Sequence, residues 1–478
     1  MQYMPVTEAM FLIAETREQP MHVGGLQLFE PRAGQSASDL AEEVFEVFHN
    51  GTEVSDLFRK RPASPAPIMG NLFWTHDDEI DFDYHVRRVV LPRPGRVREL
   101  LRYVSLNHGA LLDRNRPMWE VHIIEGLNDG RLALYTKVHH SLVDGVTALR
   151  ILQRTLSTDP EDRSGRTPWS LHTKPRPPRE KDEEKSGGIP IVSGLLGAAG
   201  AAADVAGQVA GLAPAAAKIA WSALRDDDYA APLTTAPRTL LDVPIGSARR
   251  FAGEQWELSR LKAVAKALDI TLNDVVLAMC SGALRSYLID QDALPDSSMV
   301  ATLPVSLHTE GGKDGNAITA IMCKLGTEHP DPQQRVRTIV ASTMEAKKVV
   351  RGLAPLQQLA LGAANIAPLA LAAVPGFVRY VPPQFNLMIS NVPGPREEMY
   401  WNGARLTDVY PVSVVMEGLA LNITVTSTAT HMNFGLIGAR KELPSLQRLL
   451  THLDTALEEL EKIADVTASA TGSRSPAE

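Results

Sequence analysis

Apolar residues recur along this chain at two periods, and the switches between them mark out its elements. Residues 22–29 and 131–138 are short apolar runs with β-branched members and partial alternation, which predicts buried or half-buried strands. Residues 6–16, 40–48, 99–109, 258–268, 271–288, 332–350 and 443–460 repeat apolar side chains at helical spacing. Further strands are expected within 73–90 and at 116–126, 249–258, 299–307, 317–325 and 385–392. Three more, at 410–416, 419–427 and 432–437, read as a meander. The Gly- and Asn-rich residues 126–130 predict a hairpin that pairs the strand opened by Arg116-Pro-Met-Trp119 with the strand 131–138. Helices interleave with strands in both halves, so the pattern implies an α/β protein of two domains.

The pattern lapses in the middle of the chain. Residues 157–188 are charged, rich in proline and poor in apolar side chains, and read as a linker that need not join a core. Residues 189–224 are rich in Ala, Gly, Leu and Val, interrupted by Asp204, Lys218 and Trp221. Their many small residues make insertion across a membrane weak. The expectation is one or two helices that pack on the body or lie on a bilayer surface. Residues 352–378 carry no charge and are broken by Pro355, Pro368 and Pro375. They fit proline-delimited helices that form an apolar wall, either a face for lipid entry or plain core packing. The chain therefore divides into an N-terminal domain (1–156), a linker with an apolar helical segment (157–235), a C-terminal domain (236–463) and a disordered tail (464–478).

Composition narrows the function classes. With 478 residues, 44% hydrophobic and 22% charged, the chain reads as an ordinary globular protein. A net charge of −8 and the lack of a Lys/Arg-rich block argue against a nucleic-acid partner. Cys280 and Cys323 sit in apolar patterns and are expected to be buried free thiols. No basic stretch followed by an apolar one opens the chain, so the default expectation is cytoplasmic.

The candidate chemistry lies where the strand 131–138 turns into a helix, at His139-His140-Ser-Leu-Val-Asp144-Gly145. A histidine can take a proton from an alcohol and return it within one cycle, because its ordinary pKa is near neutral. His140 is assigned as that base. Asp144 either braces the turn or orients the imidazole, and Gly145 either permits a tight turn or leaves room for substrate. A metal site is disfavoured because no CxxC or HExxH spacing occurs. Four other places are candidates. Glu15 reads as a solvated helix-end charge, and Trp119 is core packing or lies near the active-site end of its strand. Asn273 and Asp274 read as capping the helix after Thr271. Ser390 and Asn391 line the cleft as oxyanion donors or bond within their own turn.

The double-histidine motif resembles that of the CoA-dependent acyltransferases, which include chloramphenicol acetyltransferases, peptide-synthetase condensation domains and the bacterial wax ester synthase/diacylglycerol acyltransferases. Other stretches resemble the last of these families, in its order. They are Met21-His-Val-Gly24, Arg116-Pro-Met-Trp119, Leu272-Asn-Asp-Val-Val-Leu-Ala278, Pro304-Val-Ser-Leu307 and Asn386-Leu-Met-Ile-Ser-Asn-Val-Pro-Gly-Pro395. The family's usual Pro-Leu-Trp is Pro117-Met118-Trp119 here, a change that keeps volume and apolarity. The resemblance spans about residues 5–460. It implies two chloramphenicol-acetyltransferase-like α/β sandwich domains with an active-site channel at their interface. It also implies transfer of a long-chain acyl group from acyl-CoA to the hydroxyl of diacylglycerol, forming triacylglycerol, or to a long-chain fatty alcohol, forming a wax ester. No cofactor is implied, acyl-CoA being a substrate. His139 would support the loop, and Glu15, Asn273 and Asp274 would belong to the cleft. Contact with a membrane or lipid-droplet surface would be peripheral. Less favoured are a carrier-bound acyl donor and a non-catalytic lipid-surface scaffold.

Overall fold

A computed structural model describes residues 2–51, 53–64, 73–170, 236–307, 317–351, 378 and 382–472. The N-terminal half begins with β1 (Gln2–Tyr3), α1 (Val6–Ala14), β2 (His22–Glu30), α2 (Ala37–Asn50), α3 (Asp56–Arg59), β3 (Lys60–Pro62) and β4 (Phe73–His76). It continues with α4 (Phe82–His85), β5 (Val86–Val90), α5 (Val97–His108), β6 (Trp119–Glu125), β7 (Leu132–His139) and α6 (Gly145–Arg154). The C-terminal half opens with β8 (Arg249–Glu257), α7 (Leu258–Leu268), α8 (Leu272–Asp290), β9 (Val300–Leu307), β10 (Ala317–Lys324) and α9 (Pro332–Arg351). It closes with β11 (Leu387–Val392), β12 (Tyr400–Trp401), β13 (Ala404–Val412), β14 (Leu421–Ser427), β15 (His431–Ala439) and α10 (Arg448–Gly472).

Each half is built on a six-stranded sheet, in the orders β12-β13-β2-β7-β6-β5 and β10-β9-β11-β14-β15-β8. Strand β7 is central because both its faces are apolar or internally satisfied. Leu132, Leu134 and Val138 pack with Leu40, Val44 and Phe48 of α2, while Ala133 and Tyr135 join a core shared with Phe251 and Trp256 of the other half. The hairpin at 126–130 forms as predicted and pairs Trp119 with Val138 in antiparallel register. Gly126 and Gly130 have φ of 90° and 79°, the left-handed region that glycine enters without strain.

Three features depart from the sequence reading. Strand β13 does not extend a meander with β14 and β15. It crosses to the N-terminal sheet and pairs antiparallel with β2, Tyr410 opposite Leu26, so the sheets exchange chain across the division at residue 236. Residues 157–170 belong to the body rather than to a linker. Ser157 bridges Tyr400, and Trp169 is fully buried, its ring 4.9 Å from that of Trp119 and its Nε1 donating to the Gly51 carbonyl. One large apolar ring outweighs the polar residues around it. Finally, α10 runs to Gly472, past the expected helix end and into the tail at 464–478, since its alanines favour helix and nothing there breaks one. Residues 171–235 and 352–377, with the two apolar segments they contain, lie outside the described residues. Among those described, no single helix is long and apolar enough to cross a membrane. Both cysteines are buried and free, and burial pushes each thiol up to about 12.

Behind β7, on the face opposite its Thr136 and Val138, lies a buried polar cluster. The His108 Nε2–H donates to the Ser413 carbonyl at 2.8 Å, its Nδ1 accepts from the Tyr135 hydroxyl at 2.7 Å, and its carbonyl receives His22 Nε2–H at 2.8 Å. Lys137 donates to the Asn107 and Ala110 carbonyls at the end of α5. Burial lowers His108 from 6.5 to about 3, so the folded protein keeps it neutral while the unfolded chain protonates below 6.5. A depressed histidine contributes stability above the unfolded value and loses it as pH falls. Between pH 6.5 and 5 His108 alone removes about 2 kcal/mol of folding free energy. Urea unfolding at pH 7 and pH 5 checks this. His108→Gln, which keeps a donor and an acceptor without a titrating group, is expected to flatten the dependence. A wild-type stability unchanged between those pH values refutes it.

Candidate active site

The double histidine is held by backbone pairing at the end of β7. His139 N–H donates to the Met118 carbonyl at 2.9 Å, and His140 N–H donates to the Met21 carbonyl at 2.8 Å. Asp144 then caps α6, accepting from the Thr147 amide at 2.7 Å and its hydroxyl at 3.0 Å. Of the two roles open to Asp144, bracing the turn is the one its hydrogen bonds serve, and a cap of this kind stabilises a helix by about 1 kcal/mol. A Cβ built on Gly145 meets nothing within 4 Å. Its glycine therefore leaves space at the cavity wall rather than permitting a tight turn.

The two imidazoles point to different places. His139 is fully buried. Its Nδ1 accepts from the Ser141 amide at 3.1 Å, which puts the ring proton on Nε2, 3.3 Å from Glu15 Oε1. That contact is electrostatic, since its alignment falls short of a hydrogen bond. His140 turns into a cavity of about 730 Å³, with its ring stacked on Phe11 at 4.2 Å and 10° between planes. Its Nδ1 is buried without a hydrogen-bond partner, leaving Nε2 as the nitrogen open to the cavity. Burial lowers the His140 pKa below the ordinary 6.5; its own backbone opposes this, His139 reinforces it and Asp144 opposes it. The His140 imidazole is therefore neutral at physiological pH, the form able to accept a proton.

The cavity lies between the sheets and is mostly apolar. The N-terminal half contributes Gly24, Gly25, Val138 and Ile151, and the C-terminal half contributes Pro304, Met388, Ser390 and Thr424. Ser390 and Thr424 are opposite each other in the β11–β14 register and both line the chamber from the far lobe, the Thr424 hydroxyl donating to Asn422 Oδ1 at 3.0 Å.

Of the residues singled out from sequence, His140, Asp144, Gly145 and Ser390 share this cavity. The others do not form its wall among the described residues. Glu15 sits beneath His139, accepting from the Met21 amide at 3.0 Å and from Arg114 at 2.9 Å. Burial pushes its carboxyl up, but His139, the Met21 amide and Arg114 outweigh that and hold it below its ordinary value. Trp119 is 1% exposed, stacks between His85 and Trp169 and donates to the Phe58 carbonyl, so it is core. Asp274 forms a capping box with Thr271, and Asn391 donates to Asn273 at 3.3 Å. Sequence reasoning missed Phe11, Met21 as a backbone partner, and Arg114. It also passed over the Gly24-Gly25 pair as a site feature. A Cβ on Gly24 would lie 2.7 Å from the Thr136 carbonyl, and one on Gly25 2.7 Å from Leu152 Cδ1. Two adjacent glycines within an apolar strand were the available signal for this close approach.

Two α/β lobes facing each other across a chamber into which a double-histidine turn projects form the architecture of CoA-dependent acyltransferases. The first condensation domain of the calcium-dependent antibiotic synthetase shares this fold, with a TM-score of 0.56 at 14% identity over 97% of this chain and 96% of that one. A solved wax ester synthase/diacylglycerol acyltransferase from Marinobacter aquaeolei is more similar, with a TM-score of 0.76 at 40% identity over 97% of this chain and all of that one. The family model for the wax ester synthase/diacylglycerol acyltransferase catalytic domain matches residues 4–276, and that for the family's C-terminal domain matches residues 314–461. The chain belongs to the wax ester synthase/diacylglycerol acyltransferase family and is an acyltransferase. A probable diacylglycerol O-acyltransferase of Mycobacterium tuberculosis is 47% identical over 98% of this chain and all of the relative. An O-acyltransferase of Acinetobacter baylyi is 39% identical over 95% of each.

Proposed function

We propose that this protein moves a long-chain fatty acyl group from acyl-CoA to the free hydroxyl of diacylglycerol, forming triacylglycerol, with long-chain alcohols as a second class of acceptor. The observation that carries this reading is His140 Nε2 opening into an apolar chamber large enough for alkyl chains. The alcohol gives its proton to Nε2 as its oxygen attacks the thioester carbonyl. The tetrahedral oxyanion collapses, the C–S bond breaks, and the imidazolium returns the proton to the departing thiolate. No acyl-enzyme is needed, because one base serves both proton transfers. The Ser390 hydroxyl, which lines the chamber from the opposite lobe, would donate to the oxyanion. The apolar walls keep out water, which would otherwise hydrolyse the thioester.

Relatives named diacylglycerol acyltransferases support diacylglycerol as the first acceptor. The protein would work on the cytoplasmic side, in peripheral contact with the cell membrane or lipid droplets. Helix α1 supports that placement. It is apolar nearly all round, and Met10 and Ile13 on its outer side are 49% and 57% exposed, Met10 also lining the chamber. Thiol release from palmitoyl-CoA tests the reaction, with diacylglycerol, hexadecanol or no acceptor supplied. Release that requires diacylglycerol supports the proposal. Release with hexadecanol alone makes the protein a wax ester synthase, and no release with any acceptor overturns acyl-CoA as donor.

A further inference from the structure

Arg114 lies outside the chamber, yet the contacts that aim His140 converge on it. We propose that Arg114 is a positioning residue for acyl transfer, acting through Glu15 to lock the segment that holds His140 by its backbone and by its ring face. The inference rests on His140 being the base.

The chain of contacts is continuous. Arg114 Nη2 donates to the Leu12 carbonyl in the last turn of α1 at 2.7 Å and to Glu15 Oε2 at 2.9 Å, and its Nε donates to the same oxygen at 3.2 Å. With Oε2 thus engaged, Oε1 is left for the Met21 amide at 3.0 Å and faces His139 Nε2 at 3.3 Å. The Met21 carbonyl in turn receives the His140 amide at 2.8 Å. Helix α1, whose end Arg114 ties down, carries Phe11, the ring stacked on His140. Both constraints on His140 therefore run to the stretch between Phe11 and Met21, and Arg114 joins that stretch to the connection between α5 and β6.

The energetics favour a dependence on this residue. The Glu15 side chain is 2% exposed and that of Arg114 14%. A buried carboxylate without its cation is strongly destabilised and relaxes by moving or by taking a proton. Either response releases Met21 and His139 together, and displacing a catalytic group by about 1 Å is enough to lower turnover roughly a hundredfold. A lysine supplies the charge but not the two-nitrogen fork.

The test compares Arg114→Met, Arg114→Lys and Arg335→Met. The last breaks a pair remote from the chamber, the buried Arg335 with the half-exposed Glu459 at 2.6 Å, in the C-terminal half. In the thiol-release assay Arg114→Met is expected to lower kcat by about tenfold or more with KM for palmitoyl-CoA nearly unchanged, and Arg114→Lys to recover part of the loss. Arg335→Met should lower thermal stability, since it removes a buried arginine, while kcat stays within about twofold. In spectra of 15N-histidine-labelled protein, the His139 Nε2 signal (absent from His139→Gln) should shift in Arg114→Met as Glu15 Oε1 leaves it, while Nδ1 stays held by the Ser141 amide. Arg114→Met with lowered stability but wild-type kcat and an unshifted His139 Nε2 signal overturns the proposal, since the pair is then structural only. If that variant does not fold, Glu15→Gln replaces it, keeping the shape without the charge. Unchanged kcat there likewise overturns the proposal. The His139 signal is read without turnover, so failure of the proposed reaction leaves this arm of the test intact.

Discussion

His140→Ala is expected to cut acyl transfer by about 10²- to 10⁴-fold while the protein stays folded. The substitution removes the one ring nitrogen that opens into the chamber. It spares the backbone hydrogen bond to Met21 that holds the turn, and it leaves Phe11 against an enlarged cavity rather than exposing a charge. Thiol release and thermal unfolding, measured side by side, should therefore separate, with activity lost and Tm nearly kept. His139→Ala should not separate them. It strips the Ser141 amide of its acceptor and takes a partner from the buried Glu15 carboxylate, so both activity and stability fall. Activity within about tenfold of wild type in His140→Ala would remove general-base catalysis by this residue. It would leave positioning of bound substrates, or a scaffold role, as the function of the fold.

The sequence was most legible where chemistry is contiguous. His139 to Gly145 occupy one strand end and one helix start, so periodicity alone put the motif at the right junction, while Asp144 was left to brace the turn or orient the imidazole. Legibility failed where a contact joins distant segments. Arg114 and Glu15 are 99 positions apart, and neither is unusual in its own neighbourhood. The partner of β13 was equally hidden, because alternation defines which face of a strand is buried but not which sheet receives it. Trp169 shows the limit of composition, since a stretch that is polar on average still places one ring at the centre of an aromatic stack. For Trp119 the sequence left two readings open, and they make opposite predictions.

Trp119→Ala is expected to cost about 3–5 kcal/mol of stability without altering the chemistry of whatever protein remains folded. The indole lies between His85, 4.2 Å away and nearly parallel, and Trp169, 4.9 Å away, so its removal opens a void in the middle of a stack. It also takes the donor from the Phe58 carbonyl, which is 2.9 Å from Nε1. The lost transfer free energy, the void and an unsatisfied carbonyl all act in the same direction. Met118, the residue before it, accepts from the His139 amide through its backbone, which the substitution leaves in place. Only a collapse of the void that dragged β6 would reach the site. Urea unfolding measures the first quantity, and kcat normalised to the folded fraction at low temperature measures the second. A folded Trp119→Ala protein of near-wild-type stability with kcat reduced a hundredfold or so would return Trp119 to the cleft. A large stability loss with kcat retained makes it the packing residue that its partners describe.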